Sequence, residues 1–252
     1  MIPLDPSSPI DPVFTIRTRD GERQVDAYSE DGAVVLANLW TRAGWQQRLS
    51  YESTWLGIPI IQLPEDILMV QELIWRTRPT VIIECGVAHG GALVLYASML
   101  ELLGRGRAIG IDVEIRKYNR LAIENHPMSK RIRLIEASST DPTTVEEVKH
   151  LIQPNDQVMV ALDSNHSHAH VLAELEQYGP LVTPGGYFVV FDGVMSLVHD
   201  APNGKAEWVS DNPLSAVEQF LQRHPDFEQD RSPERLGTTY CTGGFLRRRL
   251  EL

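Results

Sequence analysis

Glu84-x-Gly86-x-x-x-Gly90-Gly91 sets a carboxylate and three glycines between a β-branched apolar run, Thr80 to Ile83, and an apolar stretch of helical length, Ala92 to Leu103. A second carboxylate, Asp112, closes the next apolar run, Ala108 to Ile111. Two more, Asp163 and Asp192, end the runs 157–162 and 186–191, and the first of these opens Asp163-Ser164-Asn165-His166-Ser167-His168-Ala169-His170. In an open parallel sheet, ligands sit beyond the carboxyl ends of the strands, and glycines let the backbone approach them closely. An acid after the second strand can accept hydrogen bonds from both hydroxyls of a ribose. A nucleoside cofactor is therefore the first expectation.

The spacing also selects among nucleosides. A dinucleotide site needs G-x-G-x-x-G, whose middle glycine and helix N-terminus receive a pyrophosphate. Here Glu84 would face those phosphates, which disfavours NAD and suits a cofactor with a cationic amino-acid end. S-adenosylmethionine carries an ammonium and a sulfonium there, so a methyl-transfer fold is predicted, with dinucleotide binding and a plain tight turn as the alternatives. Asp163 and Asp192 suit a hard cation such as Mg2+, which takes oxygen ligands and lowers the pKa of a bound hydroxyl. His166, three residues past Asp163 on the loop above its strand, can take a proton near neutral pH and is the expected base. The alternating histidines leave a second possibility, a metal held by His166 and His170 one helical turn apart. A helix cap or solvated histidines are the third.

Those side chains need a sheet to align them. The short runs 80–83, 108–111, 132–136, 157–162 and 186–191 read as strands, separated by helical patterns at Ala92 to Leu103, Asn119 to Asn125, Thr144 to Leu151 and His168 to Gly179. That alternation predicts an α/β, Rossmann-like, mostly parallel sheet with helices on both faces. Pro64 to Arg76 is an amphipathic helix opened by Pro64-Glu65-Asp66, good first-turn chemistry. Ala137 and Ser138, after the third strand, are candidate adenine contacts. Gly193 to Pro213 is long, polar and lid-like. A last helix is expected over Pro213 to His224 and a last strand within Thr238 to Arg247. Ahead of the sheet, residues 1–12 form a proline-rich arm, Val13 to Arg17 a strand, and Asp31 to Arg48 a capping helix. Ser53 to Ile60 is too interrupted for a regular element and could line a pocket. The division expected is an arm and cap over 1–63 and the Rossmann-like domain over 64–252.

Composition narrows the partners. The 252 residues carry a formal net charge of −11, which disfavours nucleic acid or an anionic membrane as the main partner. Arg247-Arg248-Arg249 reads as a solvated tail. Cys85 and Cys241 cannot form a disulfide framework, no apolar run is long enough to span a bilayer, and no leader pattern opens the chain. A cytoplasmic protein is expected, with the arm and capping helix as exchange elements of a homo-oligomer.

Several segments together resemble a known family. Trp55-Leu56-Gly57-Ile58-Pro59, Gln71-Glu72, Ile82-Ile83-Glu84-x-Gly86-x-x-x-Gly90-Gly91, Ser138-Ser139-Thr140-Asp141 and Leu162-Asp163-Ser164-x-His166-Ser167 with Val171-Leu172-Ala173-Glu174 are similar to the cephalosporin hydroxylase family, which includes rhamnosyl O-methyltransferases. The resemblance spans roughly residues 50–250, with D-S-x-H-S its most specific part. It implies a class I methyltransferase fold with a seven-stranded sheet, and S-adenosylmethionine-dependent O-methylation of a hydroxylated natural product, plausibly a sugar, many members using magnesium. Carried over by position, Glu84, Gly86, Gly90 and Gly91 hold the methionine part and Asp112 the ribose. Ser138 and Asp163 complete the cofactor contacts. Asp163 and Asp192 hold the metal, and His166, with Asp163, does the chemistry. One departure stands out. Metal-dependent members tend to have Glu-Asp where this chain has Phe191-Asp192, so a carboxylate ligand is missing. The remaining alternatives are a metal-dependent oxygenase and a non-catalytic cofactor-binding partner subunit.

Overall fold

The computed structural model describes residues 11–18 and 20–250. The proline-rich arm expected over 1–12 lies, apart from its last two residues, outside them. Val81–Cys85 (β5) is a β-branched run buried at every position, as a central parallel strand covered on both faces must be. Its alternate side chains part company. Val81, Ile83 and Cys85 enter one apolar layer, whereas Ile82 enters the other, so Glu84 projects to that second side.

Around β5 the sheet is built by right-handed crossovers. Gly91–Leu102 (α3) leads to Arg107–Asp112 (β6), Lys117–Glu124 (α4) to Ile132–Glu136 (β7), and Pro142–Leu151 (α5) to Val158–Leu162 (β8). His168–Tyr178 (α6) then leads to Tyr187–Val190 (β9). Pro213–Arg223 (α8), Phe227–Gln229 (β10) and Phe245–Arg248 (β11) complete the sheet. The strand order is β10-β11-β9-β8-β5-β6-β7, seven strands in all. The five strands β5 to β9 pair in parallel and β11 runs against both its neighbours. The order reverses between β5 and β8, where a cleft must open at the carboxyl ends. One layer packs Val70 and Ile74 of Pro64–Thr77 (α2) and Leu95 and Tyr96 of α3 against Ile82, Ala108 and Val189. The opposite layer packs Val148, Leu175 and Phe220, from α5, α6 and α8, against Ile83, Val160 and Phe188.

Three departures from the sequence reading have local causes. Val13–Thr18 (β1) pairs with Gly21–Asp26 (β2) as a hairpin, and β2 carries a single buried side chain, Val25, too little alternation to be read from the sequence. Ser53 to Ile60 holds two two-residue strands, Thr54–Trp55 (β3) and Ile58–Pro59 (β4). The last strand begins at Phe245, because Thr239 and Tyr240 bond to the Asp66 carboxylate instead of a neighbouring strand. Glu30–Gln47 (α1) is capped by Ser29, whose side chain accepts from the Gly32 amide. The polar stretch 193–213 contains Met195–Val198 (α7) and packs on α1 through Arg42 with Asp200 at 2.6 Å. Among the described residues no helix is long and apolar enough to cross a membrane.

Candidate active site

Glu84 is 1% exposed, and neither of its oxygens has a hydrogen-bond partner among the described residues. Burial pushes its pKa well up, the nearby Asp163 charge adds to this, and the Tyr96 hydroxyl opposes it. The turn that follows needs its glycines for the protein's own packing. Gly86 has φ of 98°, and a Cβ there would overlap the Asp163 carbonyl. Gly90 has φ of 91°, and a Cβ would strike Ile123 of α4. These contacts seat the turn tightly against the residue after β8 and against α4, and the Gly86 and Gly90 amides donate to the Ile111 and Val87 carbonyls. Asp112 fixes it further: its Oδ2 accepts from the amides of Val87 at 2.8 Å and Ala88 at 3.2 Å, and its Oδ1 from Glu114 at 3.1 Å.

The second group comes from β8 and β9, adjacent strands whose carboxyl ends carry Asp163 and Asp192. Asp192 has φ of 58°, a left-handed conformation that aspartate tolerates better than most residues and that aims its carboxylate at the cleft. His166 Nε2 lies 3.2 Å from Asp192 Oδ2. Asp163, His166 and Asp192 each offer a ligand atom within 4.8 Å of the others. Burial raises the Asp163 pKa, the Asp192 charge raises it further, and His166 opposes both. The other histidines of the motif are used structurally. His168 bonds to Ser215 at 2.7 Å and Gln219 at 2.9 Å on α8, and His170 Nε2 lies 3.2 Å from Glu174. Two histidines do not converge on one ion here. Phe191 is 3% exposed and packs in the apolar layer with Val189 and Phe245, so no third carboxylate replaces the one the family pattern would place there.

A cavity of about 440 Å³ joins both groups. Glu84, Gly86, Gly90, Gly91, Asp163, His166 and Asp192 line it. Asp112 and Ser138 stand outside its wall; Ser138 Oγ pairs with Thr140 Oγ1 at 3.1 Å. Trp55 is also elsewhere, its Nε1 donating to Ser98 Oγ at 3.1 Å. The far wall was not legible in the sequence. Trp45, at the end of α1, crosses edge-on to Tyr240 at 5.4 Å and to Trp208 at 5.7 Å, and Trp45, Tyr240 and Asn203 face the cavity opposite the glycine turn. Behind them Asp66, 1% exposed, accepts from Thr239 Oγ1 at 2.5 Å and the Tyr240 amide at 2.9 Å. Burial nevertheless pushes its pKa up to about 7. Gln62 is a further missed residue, 2% exposed with both amide atoms unpartnered on the same cavity. An isolated glutamine in an apolar context gives no sequence signal; only its missing partners mark it.

The donor set tests what the cavity can hold. A buried carboxylate on the cavity wall, unpartnered among the described residues, fits the ammonium of an amino acid, and two carboxylates with an imidazole fit a divalent cation. Residues 47–249 match the family of rhamnosyl O-methyltransferase/CmcI proteins. The chain belongs to this family. A relative in it, the rhamnosyl O-methyltransferase of Mycobacterium leprae (strain TN), is 29% identical over 201 residues, covering 78% of this chain and 83% of the relative. The 8-demethyl-8-alpha-L-rhamnosyl tetracenomycin-C 2'-O-methyltransferase of Streptomyces olivaceus is 27% identical over 125 residues, 47% of this chain and 30% of that one. Among solved structures, CmcI with Mg and SAM superposes with a TM-score of 0.56 at 21% identity, covering 79% of this chain and 77% of that one. That likeness carries the fold: the seven-stranded sheet is the Rossmann-like form of the methyltransferases.

Proposed function

We propose that this member of the rhamnosyl O-methyltransferase/CmcI family is an S-adenosylmethionine-dependent O-methyltransferase acting on a sugar hydroxyl, of rhamnosyl type, in a secondary metabolite. The observation that carries the reading is the meeting of His166, Asp163 and Asp192 at the end of a cavity whose other wall is Glu84 and the glycine turn. The two relatives that methylate rhamnosyl groups supply the acceptor class.

Glu84 takes the donor's ammonium, and the turn Gly86, Gly90 and Gly91 takes its carboxylate. Asp112 holds the turn and faces the ribose, with Ser138 on the adenine side. Asp163 and Asp192 are the ligands for Mg2+, with water in place of the acid absent at Phe191. When bound, the donor supplies an electrophilic methyl group and the ion lowers the pKa of the acceptor hydroxyl. His166 would receive that hydroxyl's proton on Nδ1, and Asp192, whose Oδ2 lies 3.2 Å from Nε2, would stabilise the imidazolium that results. A cavity that holds donor and acceptor together and keeps water out would supply most of what such a transfer asks of a protein. An oxygenase has less support, since two carboxylates and one histidine converge here and not the reverse.

The protein is further inferred to be cytoplasmic, its two cysteines being free thiols. Self-association draws support from Leu36, Leu39 and Trp40, spaced for one face of α1 and 42%, 46% and 59% exposed. Incubation with S-adenosylmethionine, Mg2+ and a panel of rhamnosides, read by mass spectrometry, tests the activity. A methylated sugar supports it. Donor binding without any methylated product would leave a cofactor-binding subunit instead.

A further inference from the structure

Five of the nine buried side-chain atoms that lack a hydrogen-bond partner among the described residues belong to three neighbours: both amide atoms of Gln62, both oxygens of Glu84 and the Tyr96 hydroxyl. All three residues are at most 2% exposed. Leaving such atoms unpaired is costly, and native proteins rarely keep them without a purpose. Glu84 lies at the donor end of the cavity and Asp163 at the ion end, with Gln62 on the wall they share.

Their chemistry has one consistent direction. A tyrosine hydroxyl can donate to Glu84 and still accept, and the two N–H groups of a glutamine amide can serve Tyr96 and Asp163 together. The amide oxygen is then left for a cation in the cavity. The placement agrees: Gln62 stands next to both Tyr96 and Asp163, and Tyr96 next to Glu84. Among the described residues, none of the side-chain polar atoms of Gln62, Tyr96 and Glu84 is within full hydrogen-bonding geometry of a partner.

We propose that Gln62 is a positioning residue that closes the chain Glu84, Tyr96, Gln62, Asp163 when the methyl donor binds, so that donor and divalent cation strengthen each other's binding. The donor's ammonium fixes Glu84 as a carboxylate and gives the Gln62 oxygen a partner. Tyr96 turns its proton to Glu84, and the Gln62 amide donates to Tyr96 and Asp163. Asp163 is thereby oriented for the cation. Linkage then requires that the cation tighten the donor by the same factor.

This rests on the methyltransferase reading, and the test separates the two. Isothermal titration of the chelator-treated protein with S-adenosylmethionine, in the absence and presence of saturating MgCl2, gives the coupling factor directly. Wild type is expected to bind the donor about fivefold or more tighter with Mg2+, the lower end of ordinary coupling. Gln62→Met replaces two unpaired polar atoms by an apolar side chain of similar length, so it should fold with an unchanged or higher Tm and lose the coupling, the factor falling to about one. Tyr96→Phe breaks the same chain from the other side of Gln62 and should do likewise. An undiminished factor in both folded variants, or no factor in wild type, overturns the proposal while leaving methyl transfer standing. Failure of wild type to bind the donor at all overturns both.

Discussion

His166 Nε2 and Asp192 Oδ2 are 3.2 Å apart, although one residue sits on the loop after β8 and the other ends the run after β9. The pair makes Asp192 both a partner of the base and a candidate ion ligand. His166→Gln keeps a side chain that hydrogen-bonds but cannot take up a proton. Its kcat should fall about 100- to 10,000-fold, with the donor Kd from calorimetry unchanged. A variant with wild-type kcat would remove His166 from the mechanism.

Asp112 holds the turn through two amides, apart from the ribose contact the proposed function gives it. Asp112→Ala deletes the acceptor for the Val87 and Ala88 amides as well as any contact with the donor. Charge-assisted bonds of this kind are the stronger ones, and the loss should weaken donor binding by about tenfold or more. Calorimetric titration reads it; an unchanged Kd is the contrary result.

The aromatic wall predicts a different split. Trp45→Ala removes the ring that crosses Tyr240 and Trp208, on the side of the cavity away from the glycine turn. The acceptor KM should rise about tenfold while kcat and donor affinity change little, the pattern of lost uniform binding. Steady-state kinetics with each substrate varied in turn distinguishes this from general damage, which would move both.

Asp66 gives stability a pH dependence. Burial holds its pKa up to about 7, above that of an unfolded aspartate at about 3.9. Between these values the folded protein keeps a proton that the unfolded chain has lost, so the stability this supplies is present at low pH and disappears as pH rises through about 7. Scanning fluorimetry of the chelated protein should show Tm falling by several degrees between about pH 5 and pH 8. Asp66→Asn should flatten that slope; an identical slope would assign it to other groups.

Phe191 tests the missing carboxylate. Phe191→Glu puts an acid among Val189, Cys241 and Phe245, where an unpaired polar group costs on the order of 2–5 kcal/mol. Tm should drop in chelator and recover in part with MgCl2 if the new side chain reaches the ion. A drop that Mg2+ does not relieve would show that the backbone here is set for an apolar side chain.

The sequence by itself determined the frame. β-branched and apolar runs ending in an acid, with helical spacing between them, predict a mostly parallel sheet and put Glu84, Asp163 and Asp192 on one edge, because a strand's last side chain goes where the strand ends; the spatial order of the strands came from the structure. The glycines of the 86–91 turn were legible too, but for a reason only half stated by the sequence: they are needed against the Asp163 carbonyl and Ile123. What only the tertiary structure decided are contacts between segments far apart in the chain. α1 brings Trp45 over the cavity, Asp66 ties down Tyr240 in place of a strand, and Gln62 arrives beside Asp163. None of these has a periodicity or motif, since each is fixed by the packing of one element on another. The assignment of the three motif histidines was likewise a matter of packing. α8 claims His168 and Glu174 claims His170, leaving His166 at the cleft.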